Sequence, residues 1–329
     1  KEPDKPKPDE SFTILATGDI MMHDLQIQAG WLKEEKRYDY AYMFEHIAPI
    51  LQQGDLVIGN LEVPLAGAET GYSGYPMFNA PEILATNLKD AGFDVVSTAN
   101  NHCLDRRYNG LTSTLDFLDE ARLLHTGTAR SAQEQEQILM IPVKGVQIAL
   151  IAATYGTNGM PIPKGKEYAV NLLDQDMLLG QIEKARQEGA QYVIMMLHWG
   201  QEYAPEPNQE QISLAEALFA GGADLIIGHH PHVLQKGEVL AADEPFGASG
   251  KDKNNFVMYS LGNFISSQKG LERLSSLVLK VEVGIDQETG EPYFIGAEYI
   301  PIYTQKKNSQ GKNYFAVWPI EKALAEIQQ

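Results

Sequence analysis

The chain has 329 residues, 43 % of them apolar and 21 % charged, a globular profile with length enough for a large core. Its formal net charge of −18 argues against a general binder of nucleic acid or of an anionic membrane, since both need a basic face. An anionic substrate would need that field inverted locally, and a bound metal is the usual device. A single cysteine, Cys103, excludes an internal disulfide and a cysteine zinc site, and it reads as a small core hydrophobe. No run of about twenty apolar residues marks a membrane span.

Residues 1–10, KEPDKPKPDE, are proline-rich and charged and read as a flexible linker, the remnant of a tether. The rest, 11–329, shows no internal repeat and no domain boundary, so one domain is expected. Strand-like apolar runs fall at 12–19, 55–62, 93–102, 146–154, 191–200, 223–232 and 255–264. Helical patterns lie among them at 42–52, 81–91, 111–124, 172–188 and 209–220, the last stopped by Gly221-Gly222. Alternation of this kind predicts α/β layers. The Gly- and Pro-rich stretch 156–168 reads as a long loop. After about residue 270 the pattern turns strand-rich, which predicts an antiparallel contribution at the end.

Nearly every apolar strand ends in groups that bind metals or move protons. They are Asp19; Asn60 and Glu62; Asn100, Asn101 and His102; His198; His229, His230 and His232; and Ser260 and Asn263. In an open α/β sheet the ligand crevice lies beyond the carboxyl ends of the strands, so these groups are expected to converge. Mixed imidazole, carboxylate and amide donors suit manganese, iron or zinc, whereas an all-oxygen set would favour magnesium or calcium. His230 and His232, at i and i+2, would face one side if the backbone there were extended. No G-x-S-x-G elbow surrounds Ser260, so a serine nucleophile is unsupported.

The order of these groups resembles the calcineurin-like metallophosphoesterases, whose strand-end motifs run D-x-H, G-D-x-x-D, G-N-H-[ED], H and G-H-x-H. Two departures stand out: Met21 fills the place of the first histidine, with His23 the nearest stand-in, and Asn60 with Glu62 replaces the bridging aspartate. Those departures, in GDIMMHD, DLVIGNLEVPL, STANNHCLDRRYNGL, LHWGQEY, GHHPHVLQ and YSLGNF, resemble the poly-γ-glutamate capsule biosynthesis proteins of the CapA/PgsA type. Six ordered motifs carry the likeness over roughly residues 12–265.

The resemblance implies a four-layer α/β/β/α sandwich of the metallophosphoesterase kind. It implies one or two divalent ions (Mn, Fe or Zn) held by Asp19, Glu62, Asn101, His198, His230 and His232, with Asn60 as a further donor. His102 matches the histidine that protonates the leaving group, with Asp105 either orienting its imidazole or serving as a helix cap. His229 is a substrate contact, a support for the ligands or a core residue, and Ser260 and Asn263 are substrate contacts unless they bond their own backbone. The functions implied are a metal-dependent hydrolase acting on an anionic polymer such as poly-γ-glutamate, a non-catalytic assembly subunit of a membrane polyglutamate synthase, or a phosphoesterase of small substrates. The family's place is the outer face of the bacterial membrane, reached through an anchor upstream of this segment.

Overall fold

The computed structural model describes residues 10–241, 254–309 and 311–327. Residues 1–9 of the expected linker lie outside them, and Glu10 already opens the first strand. Among the described residues, fourteen strands build two large sheets. They are β1 (Glu10–Ile20), β2 (Leu56–Leu61), β3 (Val95–Ser97), β4 (Leu124–Thr126), β5 (Leu139–Val143), β6 (Val146–Thr154), β7 (Tyr192–His198), β8 (Leu225–His229), β9 (Gly237–Ala241), β10 (Asn254–Met258), β11 (Asn263–Ile265), β12 (Ser275–Ile285), β13 (Pro292–Ser309) and β14 (Lys312–Pro319). The first sheet runs β14-β13-β12-β1-β2-β3-β4, with β11 added to β1; the second runs β9-β10-β8-β7-β6-β5. Parallel pairing at the centre of each sheet gathers the carboxyl ends of β1, β2, β7 and β8 on one rim. The strand-rich end of the chain adds β12 to β14 antiparallel, as the sequence pattern predicts.

Side chains sort by strand parity. Ile14, Ile58 and Val95 of the first sheet meet Ile148, Ile194 and Ile227 of the second in a core between the sheets. Leu15, Val57 and Val96 face the other way, onto Leu84 and Leu88 of α1 (Ile83–Ala91) and Leu111, Leu115 and Leu118 of α2 (Arg107–Glu120). Ile151, Val193, Met195 and Ile226 pack on Leu178 and Ile182 of α3 (Gln175–Gln187) and Ala215 and Leu218 of α4 (Gln209–Ala220). Each of the larger of these side chains contributes about 1.5–3 kcal/mol on burial, and both faces of both sheets are covered. The layers are therefore α/β/β/α, as expected.

Three expected elements change for local reasons; the strand at 255–264 divides into Asn254–Met258 in the second sheet and Asn263–Ile265 in the first, parted by a turn at Gly262 (φ +65°). The helix at 42–52 is broken into a 3₁₀ turn at Ala41–Met43 and a short helix at Ala48–Leu51, because Pro49 has no N–H to give and is tolerated only near a helix start. The strand at 93–102 shortens to Val95–Ser97, since Thr98 to Arg106 turn away from the sheet to form the site.

One irregularity in β1 decides where the site lies. Ala16 pairs with Ile58 and Asp19 with Asn60, so β1 uses three residues where β2 uses two. Plain alternation from Ile14 and Ala16 would send Asp19 to the helix side; the extra residue turns it back toward the second sheet. Gly18 sits in this bulge against Gly262, whose carbonyl accepts the Asp19 N–H at 2.9 Å. A Cβ at Gly18 would meet that oxygen at 2.0 Å, so Gly18→Ala is expected to cost about 1–3 kcal/mol of stability, seen as a lower urea midpoint. An unchanged midpoint would show that the bulge is not held by this close approach.

Candidate metal centre

Two buried carboxylates lie at the rim with opposite surroundings. Asp19 is fully satisfied: Oδ1 accepts from Asn60 Nδ2 at 2.8 Å, and Oδ2 from the His230 N–H at 3.2 Å and His232 Nδ1 at 3.1 Å. Burial pushes this carboxyl up, but the His232 hydrogen bond and the neighbouring imidazoles outweigh it and hold it below the usual carboxylate range. Glu62, also 0 % exposed, has no hydrogen-bond partner on either oxygen. Burial, and then the charge of Asp19, raise its carboxyl well above the ordinary value. An orphaned buried carboxylate costs several kcal/mol unless a cation joins it.

The groups around Glu62 are cation donors. His198 Nε2 lies 3.6 Å from Glu62 Oε1 and 3.0 Å from Asn101 Oδ1; His232 Nε2 lies 3.7 Å from the same Glu62 oxygen. Glu62, His198 and His230 each place a donor atom within 4.8 Å of the others', and so do Asp19, Glu62 and His232. Glu62 thus belongs to two adjacent three-donor sets. His230 Nδ1 is buried and unpartnered as well. Burial, followed by the charge of the neighbouring histidines, depresses His198 well below its ordinary value and His230 to about 3. The unpartnered His230 Nδ1 has a lone pair to give, whereas His198 is held by Asn101 Oδ1 at Nε2 and by Asn60 Nδ2, 3.3 Å from Nδ1. Nitrogen and carboxylate donors in this proportion fit manganese, iron or zinc.

The H-x-H pair reaches this point by a different route from the one expected of an extended strand. β8 ends at His229, and both His230 (φ +97°) and His232 (φ +59°) adopt positive φ, a costly backbone for non-glycine residues that clusters at functional sites. His229 continues the strand's inward parity and its Nε2 lies 3.1 Å from the Thr17 carbonyl, holding the bulge of β1. It is a support for Asp19 and touches no open space.

His102 stands at the mouth of the same rim. Its Nδ1 is 2.8 Å from Asp105 Oδ2, which also accepts the Phe78 N–H at 2.8 Å. Asp105 is therefore fixed by its backbone partner and in turn fixes the imidazole, which packs edge-on against the Phe78 ring. With Nδ1–H given to Asp105, Nε2 is the free nitrogen, and Asn158 Nδ2 sits 3.5 Å from it. A cleft of about 230 Å³ opens here, lined by His23, Tyr75, His102, Glu202, Tyr203 and His232 among others.

The remaining sequence candidates divide. Ser260 gives its hydroxyl to the Val233 carbonyl at 2.7 Å and takes the Gly262 N–H at 3.2 Å, so it shapes the turn beside Gly262. Asn263 lies beside Asp19 in register; its Nδ2 donates to the carbonyls of Arg273 at 3.0 Å and of His232 at 3.4 Å, steadying the histidine loop. His23 caps the short helix Asp24–Ala29, with Nδ1 3.2 Å from Gln26 Oε1, and lines the cleft without joining either donor set. Burial, with smaller contributions from His232 and Lys306, lowers it to about 4. Met21 is buried and supplies no nitrogen or oxygen where the phosphoesterase pattern has a histidine.

Of the strand-end groups, Asn100 has no role assigned from the sequence, and the loop residues Tyr155, Asn158 and Glu202 are not singled out there. Asn100 ties the strand ends together, its Nδ2 donating to the Leu61 carbonyl at 2.8 Å while its Oδ1 accepts the His102 N–H at 3.2 Å. Asn158, from the long loop at 156–168, accepts from Asn101 Nδ2 at 3.2 Å and brings that loop to the site. Tyr155 covers His230, ring centres 4.5 Å apart. Glu202 joins His230 and His232 in a third donor set on the open side. The one sequence signal for Glu202 and Tyr203 is their place just past the end of a site strand.

The layers define an α/β/β/α fold of the metallophosphoesterase kind. The fold is similar to that of the NAD nucleotidase NadN of Haemophilus influenzae, with a TM-score of 0.51 and 15 % identity over 97 % of this chain and 56 % of that one. It is similar also to a putative 5′-nucleotidase from Staphylococcus aureus, with a TM-score of 0.54 and 15 % identity over 92 % of this chain and 57 % of that one. More narrowly, residues 13–268 match the family of the bacterial capsule synthesis protein PGA_cap, and the chain belongs to that family. It is 33 % identical over 81 % of its length to the capsule biosynthesis protein CapA of Bacillus anthracis. It is 32 % identical over 79 % of its length to the PGA biosynthesis protein CapA of Bacillus subtilis strain 168. The chain spans 62 % and 64 % of the lengths of these two relatives.

Proposed function

We propose that this protein takes part in the production of a poly-γ-glutamate capsule or a like anionic polymer, as a metal-dependent hydrolase acting on that polymer. The observation that carries the reading is Glu62: a carboxylate at 0 % exposure with both oxygens unpartnered, shared by two sets of imidazole and carboxylate donors. Asp19, Glu62 and His232 would hold one cation, and Glu62, Asn101, His198 and His230 a second. Manganese, iron or zinc ions so bound supply Lewis-acid polarisation of a substrate oxygen and activation of water near neutral pH. The chain's own residues do the rest. Asp19, ionised and fully hydrogen-bonded, fixes the histidine loop; His102, oriented by Asp105 through Nδ1, moves a proton at Nε2 to the leaving group; and Asn158 limits access to that nitrogen. Partnership with a membrane polyglutamate synthase and a place at the outer face of the bacterial membrane belong to this proposal; no described helix is long and apolar enough to cross a membrane.

The test is hydrolysis of poly-γ-glutamate and of a simple phosphodiester by the purified protein loaded with Mn, Zn or Fe. His198→Ala and His230→Ala are each expected to lose activity about a hundredfold or more, since even residues that only support a ligand change metal sites by about 10–100-fold. Activity indifferent to both substitutions would contradict the reading. Met21 favours a second one, polymer binding without turnover, because it removes a donor from the Asp19 side. Tight capture of the polymer by metal-stripped protein, with no cleavage after reloading, would favour that role.

A further inference from the structure

Away from the metal centre, a hollow of about 400 Å³ is walled by three aromatic rings, those of Trp31, Tyr38 and Tyr72. Trp31 and Tyr38 pair across a two-stranded hairpin, Trp31–Leu32 with Arg37–Tyr38, that joins neither large sheet. Trp31 is 43 % exposed, whereas Trp199 and Trp318 are buried, so the hairpin holds the one tryptophan side chain that solvent reaches freely. A large aromatic side chain left in water forgoes a burial gain that a ligand laid on it would recover. The rings are also fixed in place. Tyr38 stacks on buried Tyr40 with ring centres 6.2 Å apart, Trp31 leans on Tyr38 at 4.9 Å, and the Tyr72 hydroxyl donates to Glu82 Oε2 at 2.7 Å. Gly30 permits the hairpin to fold back in this way, because a Cβ there would meet the Tyr40 ring at 2.1 Å. A wall preset before binding loses little freedom when a ligand arrives.

Spacing and charge select the ligand. Neighbouring rings 4.9 and 5.2 Å apart touch one another, so they make a continuous floor and leave no cage between them for an alkylammonium group. The polar groups beside the floor carry both signs. Glu82 keeps Oε1 to accept a hydrogen bond and Lys36 makes no ion pair among the described residues, while Arg37 is engaged by Glu35 and Asp39. A polyanion, nucleic acid included, meets Glu82 and a net charge of −18. A sugar ring fits all of this: its C–H face lies on an aromatic face, its hydroxyls donate to a carboxylate and accept from an ammonium, and it brings no charge. Ala68 and Glu82 also border a second hollow of about 450 Å³, where Thr70, Asn109 and Ser113 offer uncharged groups to further hydroxyls. Both volumes fall within the range of small-molecule sites, about 300–1,000 Å³. We propose that Trp31, Tyr38 and Tyr72 form a carbohydrate-binding site that takes uncharged sugar units of a glycan, with the next units running past Glu82 into the second hollow. The aromatic hollow shares no lining residue with the cleft beside His102; the loop that bears Tyr72 here places Tyr75 there. The site therefore gives the protein a hold on a glycan that does not depend on the metal centre or on the hydrolytic reading.

The experiment titrates the full chain with β-linked tetramers of N-acetylglucosamine and of glucose, and with a γ-linked glutamate oligomer, following heat and tryptophan emission together. At least one sugar tetramer is expected to bind saturably and shift the emission to the blue, since Trp31 is the tryptophan that binding would cover. Trp31→Ala and Tyr72→Ala are each expected to weaken that binding about tenfold, whereas Trp31→Phe keeps most of the heat signal and loses the emission shift. Urea unfolding establishes that the variants are folded. Stripping of metal and His198→Ala should leave sugar binding unchanged, so a failure of the functional proposal and a failure of this inference are told apart. Absence of binding by both sugar tetramers, or equal affinity in folded wild type and Trp31→Ala, would overturn the inference. So would a glutamate oligomer that alone shifts the emission, because the hollow would then belong to the polymer and not to a glycan.

Discussion

Replacing Glu62 with Gln is expected to have opposite effects in the presence and absence of metal. Without metal, the wild-type carboxylate is buried, unpartnered and raised by burial, so it favours the folded state only while protonated. A group whose folded value lies above its unfolded value contributes stability at acid pH and loses it as pH rises through the raised folded value. Metal-free wild type should therefore weaken from acid toward neutral pH on account of Glu62, whereas Glu62→Gln should lack that fall and be about 1–3 kcal/mol more stable at neutral pH. Asp19 acts in the other direction. Its folded value is lowered, so its contribution is present above the ordinary carboxylate range and disappears as pH falls through the depressed value. With metal the order reverses: a cation at a thousand times its Kd adds about 4 kcal/mol to wild type, and Glu62→Gln, having lost the shared ligand, forfeits most of it. Urea unfolding of both proteins, with and without manganese, from pH 5 to pH 8 checks the crossing. Equal metal-induced gains in the two proteins would contradict the assignment of Glu62 as the shared donor.

Replacing His102 with Ala is expected to lower kcat by about 10²–10⁴-fold while leaving metal content unchanged. The imidazole lies outside both donor sets, and its ordered nitrogen faces Asn158 at the cleft. Asp105→Asn should cost less than the loss of the imidazole itself, because the Phe78 N–H still finds an oxygen there while the pairing of His102 Nδ1 is weakened. Since His102 also packs on Phe78, some stability is lost with it, and the comparison is made well below the unfolding midpoint. Metal analysis together with steady-state kinetics separates the roles: loss of metal in His102→Ala would make the residue a ligand, and an unchanged kcat would remove it from the chemistry.

Much of the fold could be read from alternating apolar runs, because both sheets are covered and their strands are continuous hydrophobic stretches such as Tyr192–His198. The end of α4 was equally legible: Gly221-Gly222 stops it, and the helix pattern at 209–220 holds to the residue. The broken helix near Pro49 and the short β3 depend on tertiary demands that periodicity does not carry. The site's members were visible as polar residues at strand ends, yet their geometry was not. The bulge that turns Asp19 inward depends on an extra residue in one strand against its neighbour, and positive φ at His230 and His232 leaves no mark in the sequence. Glu202, Tyr155 and Asn158 escaped because they come from loops, where no period announces which side chain turns inward.

If Glu62 is shared between two cations, anomalous diffraction from crystals of the protein grown with manganese should show peaks within bonding distance of Glu62, one toward Asp19 and His232 and the other toward Asn101, His198 and His230, both lost in Glu62→Gln. Crystals saturated with manganese that show no peak at this rim, in a protein still cleaving its polymer, would contradict that sharing.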